Sequence, residues 1–126
     1  MLVVWEPHQG GAAHLEKYRS DGRRMPVAIT IGGHPSFTLI AATPAPAGLD
    51  ECLLGSLYRD KPLELVACRS QELEVPVDAE LVIEGFIDPA AEHESVGEIA
   101  GPLGYYRRAG VAPVVQVTAI THRVNP

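Results

Sequence analysis

Five titratable side chains stand where their surroundings could put them to chemical use: His8, Glu51, His93, Glu94 and Glu98. His8 precedes Gln9-Gly10-Gly11, and glycines without a Cβ let another group approach the backbone closely. Glu51 follows a stretch holding Pro44 and Pro46 and opens a predicted helix, where its charge also suits the positive end of the helix dipole. His93, Glu94 and Glu98 lie in residues 90–101, too rich in Glu and Gly for a core strand, so a loop of titratable groups is expected there. Taken singly, each is ordinary. A lone loop histidine is more often solvated than a ligand, and a glutamate at a helix start commonly serves the dipole. No zinc spacing, no Gly-rich phosphate loop ahead of a helix and no GxSxG elbow occurs.

The elements that must position these groups can be read from periodicity. Val27-Ala28-Ile29-Thr30-Ile31 is a β-branched run ending at Gly32-Gly33, a strand entering a turn. Pro35 suits the first turn of a short helix ending near Ala42, and residues 41–48, with two prolines and a glycine, form a stiff loop. Ala12, Leu15 and Tyr18 share one side of a helix from about Gly11 to Arg19. Asp50 is positioned to cap another, whose Leu53, Leu54, Leu57 and Tyr58 make an apolar stripe that is expected to pack in the core. Three later strands are predicted: Leu63 to Cys68, Glu80 to Ile87, and Pro113 to His122. In the last, Val115, Val117 and Ala119 should face one way and Gln116, Thr118 and His122 the other, with Ile120 an apolar exception. Short strands and helices without a βαβ rhythm predict a mainly β fold with peripheral helices, an α+β barrel.

The 126 residues suit one domain, residues 1–126, with 46% hydrophobic and 21% charged content typical of a chain with a real core. No apolar run is long enough to span a membrane and no secretory leader is evident, so a cytoplasmic protein is expected. A net charge of −6, with basic residues scattered apart from Arg23-Arg24 and Arg107-Arg108, argues against nucleic acid, and these pairs read as solvated surface. Cys52 and Cys68 do not form a CxxC and are expected to be reduced core residues.

Read in order, the chain resembles the central domain of the UbiD family of reversible decarboxylases. The resemblance rests on Trp5 with His8-Gln9-Gly10-Gly11-Ala12, Pro26-Val27-Ala28-Ile29 with Gly32 and Pro35, and Thr43-Pro44-Ala45-Pro46 with Asp50-Glu51. It continues through Leu63-Glu64-Leu65-Val66 with Cys68, Leu73-Glu74-Val75-Pro76, Ala79-Glu80-Leu81-Val82-Ile83-Glu84-Gly85, Gly97-Glu98, Gly104-Tyr105-Tyr106 and Ile120-Thr121-His122-Arg123. It implies a split β-barrel of the flavin-binding type that binds prenylated FMN, or FMN, through a divalent ion, Mn2+ or Mg2+. By that resemblance His8 and Glu51 are metal ligands, while Gln9, Thr43 and Pro44 lie at the cofactor and at a monovalent cation, K+. Manganese accepts both imidazole and carboxylate, and its charge offsets the repulsion between phosphate and an acidic chain. Glu98 matches the family's proton-transfer glutamate, a group that needs burial to move its pKa toward neutrality. His93 stands where the family has its first acidic-loop glutamate, and Glu94 substitutes only if that loop slips by one residue. The family's third metal ligand, an asparagine, and its network arginine have no counterpart here. The resemblance therefore implies a decarboxylase part for aromatic or unsaturated acids, incomplete alone, with the remaining decarboxylase domains or subunits as partners. The alternative is a non-catalytic flavin-binding or assembly module. Uncovered apolar surface and a homo-oligomer are also expected.

Overall fold

The computed structural model describes residues 4–5, 9–43, 45–46, 48–49, 51–101 and 104–125. Among them three helices and seven strands follow in the order α1 (Gly10–Ser20), β1 (Met25–Ile31), α2 (Ser36–Ala42), α3 (Glu51–Arg59), β2 (Leu65–Ala67), β3 (Glu74–Pro76), β4 (Leu81–Ile87), β5 (Glu94–Ala100), β6 (Tyr106–Ala112) and β7 (Val115–His122). The strands form three open sheets, β1-β4-β7, β2-β3 and β5-β6. The mainly β reading with peripheral helices holds, whereas a closed barrel is not seen among the described residues.

The central sheet is antiparallel throughout, and its coverage follows from register. Met25 pairs with Ile87 and Ile87 with Val115, so all three share one face. That face is closed by α1 through Leu15, and Trp5, Tyr18 and Val27 pack around the same cluster. At the other end of the sheet, the opposite face is the covered one: Val82 packs with Val75 and Ala79, flanked by Ala28 and Cys68. A three-stranded sheet thus holds two small cores, one on each side.

The alternation predicted for β7 needs correction. Glu84 pairs with Ala119 but Gly85 pairs with Val117, so the register slips and Thr118 is an extra residue, a β-bulge. Beyond the bulge the facing changes phase. Ile120 joins Val115 and Val117 on one side, and Ala119 moves to the side of Gln116. The apolar exception is therefore in phase once the bulge is counted. Nor is that face uniformly buried: Val115 is buried, whereas Val117 and Ile120 are exposed. β2 is also shorter than predicted, and its Leu65 and Val66 are exposed.

The largest departure is α3. Its stripe was expected to pack inward, yet Leu53 is 59%, Leu57 77% and Tyr58 59% exposed. The cause is the docking side: α3 meets α2 through Gly55, buried under the Cδ1 of Ile40, which a Cβ there would have to displace. The bulky residues are left facing outward. At its far end α3 is held by an Arg59–Asp78 ion pair of 3.3 Å and by Arg59 lying 5.7 Å from the Phe37 ring centroid. Asp50, the expected cap, lies outside the described residues.

Residues 94–112 form a β-hairpin rather than the expected loop, with Glu94 opposite Ala112 and Ala100 opposite Tyr106. Its strands are largely exposed, consistent with their Glu and Gly content. Neither cysteine is in a disulfide: Cys52 is exposed, contrary to the expected core position, and Cys68 is half-buried at the edge of the second core cluster. Arg23 and Arg24 are exposed as expected, and the side chains of Arg107 and Arg108 lie outside the described ones.

Candidate functional site

The sequence-predicted site residues fall on or beside four separate elements, α1, α2, α3 and β5. Gln9 is the exposed N-cap of α1, and its carbonyl accepts the backbone N–H of Ala12 and Ala13. Thr43 caps the end of α2, and its hydroxyl donates to the Leu39 carbonyl at 2.7 Å. Glu51 opens α3 as the acidic residue of its first turn and is exposed. His8 and Pro44 lie outside the described residues. No group of three or more His, Cys, Asp or Glu able to hold a metal ion occurs among the described residues. The chemistry of Glu51, an exposed carboxylate at a helix start, fits one donor to a hard divalent ion.

The acidic group falls on or beside one strand of the hairpin. Glu94 and Glu98 are both on β5 at an even spacing and so share one side of the hairpin, exposed. The burial expected of Glu98 is not supplied by the described residues. His93 immediately precedes β5 and reaches a cavity of about 560 Å3 between α1 and the hairpin base, lined also by Trp5, Leu15, Arg19, Val111 and Pro113. Arg19 is not free in that cleft: it donates to Glu16 at 2.7 Å and to the Pro89 carbonyl at 3.3 Å.

Sequence reasoning passed over Glu84. It is 1% exposed, the one buried carboxylate among the described residues. Its oxygens accept the backbone N–H of Arg69 at 2.9 Å, the N–H of Ser70 at 2.6 Å and the Ser70 hydroxyl at 2.9 Å. Burial on its own would raise its pKa, but these bonds, with the Gln71 N–H, outweigh it and hold the carboxyl below its ordinary value. Ser70 and Gln71 also bond the Thr118 hydroxyl, at 2.6 and 3.1 Å. Glu84 is thus a structural anion clasping the turn after β2. The signal in the sequence was a single acid within the apolar run Leu81 to Ile87. Beside it, burial and then the Glu84 charge push the Cys68 thiol up, which keeps it protonated and a poor nucleophile.

These features define an α+β domain of open antiparallel sheets with an acidic hairpin and a carboxylate at a helix start. The chain belongs to the UbiD family: residues 1–126 match its 3-octaprenyl-4-hydroxybenzoate carboxy-lyase Rift-related domain. Among solved structures, the UbiD-class enzyme HmfF from Pelotomaculum thermopropionicum, in complex with FMN, superposes with a TM-score of 0.90 at 37% identity, covering 99% of this chain and 28% of that one. The closed form of the vanillic acid decarboxylase of Sedimentibacter hydroxybenzoicus gives 0.90 at 31% identity, covering 99% and 26%. A protein of Synechocystis sp. is 40% identical over 126 residues, all of this chain and 25% of its own length. The chain therefore spans about a quarter of the relatives it matches.

Proposed function

We propose that this chain supplies the metal and flavin-phosphate half of a UbiD-class site for non-oxidative decarboxylation of an aromatic or unsaturated carboxylic acid. The observation that supports the reading is the near-complete superposition on a relative in complex with FMN. Glu51 at the start of α3 and His8 ahead of α1 would hold a divalent ion, Mn2+ or Mg2+. Gln9, Thr43 and Pro44 would contact the cofactor and a K+ ion. Bound prenylated FMN supplies the electron sink for loss of CO2. Glu98 would then carry the proton, with Glu94 on the same side of β5 and His93 at its foot. A histidine in place of a glutamate exchanges an acceptor-only group for one that both donates and accepts near neutral pH. Burial of these groups, and so activity, would require the remaining decarboxylase domains or subunits.

The test is to mix the purified chain with prenylated FMN and Mn2+, desalt, and read the flavin absorbance. Retention that is lost in His8→Ala and in Glu51→Ala is the expected result. No retention by a folded chain would instead favour a module without chemistry, a second reading that draws on the exposure of Glu94 and Glu98.

A further inference from the structure

The helices α2 and α3 stand off from the sheets as a pair. Among the described residues they pack on each other, with Gly55 against Ile40, and on no strand to a comparable extent. The chain enters the pair through Gly32 and Gly33 and leaves it through Asp60, with positive φ at all three, 76°, 93° and 52°. Both connections are tight bends, and they lie at one end. There Gly33 sits so close to the Asp78 carbonyl that a Cβ would stand 3.1 Å from it, and Arg59, next to Asp60, reaches the carboxylate of the same Asp78 at 3.3 Å. The other polar side-chain contacts described for these helices are local: Ser36 with His34, Thr43 with Leu39, and Ser56 with Cys52 and Leu63. Thr43, just past α2, and Glu51, the first residue of α3, lie at the opposite end of the pair.

We infer that Arg59 is a positioning residue: it latches this standing pair of helices to the β3–β4 turn and so sets where Glu51 is held. The guanidinium works on two sides. Over the Phe37 ring, 5.7 Å from its centroid, it ties the end of α3 to the start of α2, so the two helices move together. Against Asp78 it ties the pair to the sheets. Both side chains of that ion pair are largely withdrawn from solvent, which spares it much of the screening a surface pair meets. The second Asp78 oxygen is buried without a partner among the described residues, so the carboxylate depends on Arg59. Leverage makes the latch matter. From Arg59 back to Glu51 is the length of α3, about 12 Å at the helical rise. A tilt of about 10° at the latched end moves Glu51 by about 2 Å, on the order of ten times the ~0.2 Å within which metal–ligand distances must fall. The consequence for a metal rests on the role proposed above for Glu51, whereas the latch does not.

Two measurements on the purified chain keep the latch and the cofactor reading apart. Nitroxide labels on the exposed Cys52, beside Glu51, and on Gln116→Cys in the central sheet, with Cys68→Ala to leave no third thiol, report the distance from helix start to sheet by pulsed EPR. One narrow distance is expected for this parent. Arg59→Ala should broaden it and shift it by about 2 Å or more with unchanged far-UV circular dichroism, and Arg59→Lys, which keeps the charge, should restore most of it. Asp78→Asn opens the latch from the other side and should give the same shift, which decides the matter where Arg59→Ala does not fold. Mn2+ titrated in the presence of FMN, read by loss of the free-ion EPR signal, should bind about 10–100-fold more weakly to Arg59→Ala, as when groups that orient metal ligands are removed, and not at all to Glu51→Ala. Distances in Arg59→Ala and Asp78→Asn that match the parent overturn the inference. So does an Mn2+ affinity that Arg59→Ala leaves unchanged while Glu51→Ala abolishes it. A parent whose distances respond to Arg59 but which takes up no Mn2+ overturns the cofactor reading instead and leaves the latch standing.

Discussion

At the scale of single residues, Glu84 ties more of the molecule together than any candidate catalytic group. It accepts from three backbone N–H groups and a hydroxyl, so Glu84→Gln would turn an amide N–H2 toward donors that need an acceptor. The substitution is expected to lower stability by about 2–4 kcal/mol in urea unfolding at neutral pH. Its pH dependence has a definite sign. The folded carboxyl lies below its ordinary value, so the unfolded chain takes up the proton first as the pH falls. The contribution is complete above the ordinary glutamate range and is lost below it, as pH drops through the folded value. Unfolding midpoints measured from neutral to acid pH should fall for the wild type and change less for Glu84→Gln. Gly85, next door, is constrained by space: a Cβ there would collide with the Gln116 carbonyl across the strand pair. Gly85→Ala is expected to cost about 1–3 kcal/mol by the same measurement.

At the scale of elements, α3 shows what pattern alone can and cannot settle. Its start, its end and its apolar stripe were all legible in Glu51 to Arg59. Which side faces inward was not, because periodicity gives the phase of a stripe and says nothing of where a neighbour lies. Gly55, a residue with no hydrophobic signal, chose the side by letting Ile40 come close. β7 failed for a related reason: a single inserted residue is invisible to an alternation read from sequence, and it reverses every assignment beyond it. The acidic segment was legible as solvent-exposed but not as paired, since its partner strand lies beyond Gly101. Where α3 leaves its helix, the Arg59–Asp78 pair is asymmetric. One Asp78 oxygen is buried without a partner among the described residues, so the pair is only half satisfied. Arg59→Ala strands the carboxylate and should cost about 2 kcal/mol, whereas Asp78→Asn removes the half-satisfied carboxylate charge and leaves a partly exposed Arg59 that can turn to water, so it should cost less. Urea unfolding of the two variants, side by side, checks that order.

For the whole molecule, the fold was readable because local strands and helices agree with their propensities, and the family was readable from the order of many short fragments. The site was readable only in part. His93, Glu94 and Glu98 fall on or beside one strand, β5, and Glu51 opens a helix. No common cavity joins them among the described residues, since Glu51, Glu94 and Glu98 face solvent. A chain spanning about a quarter of its relatives supplies groups whose surroundings would come from elsewhere. If so, adding the flanking segments of such a relative should bury the hairpin, and hydrogen exchange across residues 94–112 should slow. Unchanged exchange would mean the arm is not part of that contact.

Thr118 separates two properties of a strand that usually travel together. Because it is the surplus residue, its neighbours already point as they would in an uninterrupted ribbon of seven. Excising it would turn no side chain over, and would only take away the hydroxyl that fastens Ser70 and Gln71. Removing any other residue of β7 would have to use up the bulge or shift the strand. The length of this strand can therefore shrink by one without rewriting its two sides, and the loss would appear as proteolytic nicking near Ser70 rather than as misfolding.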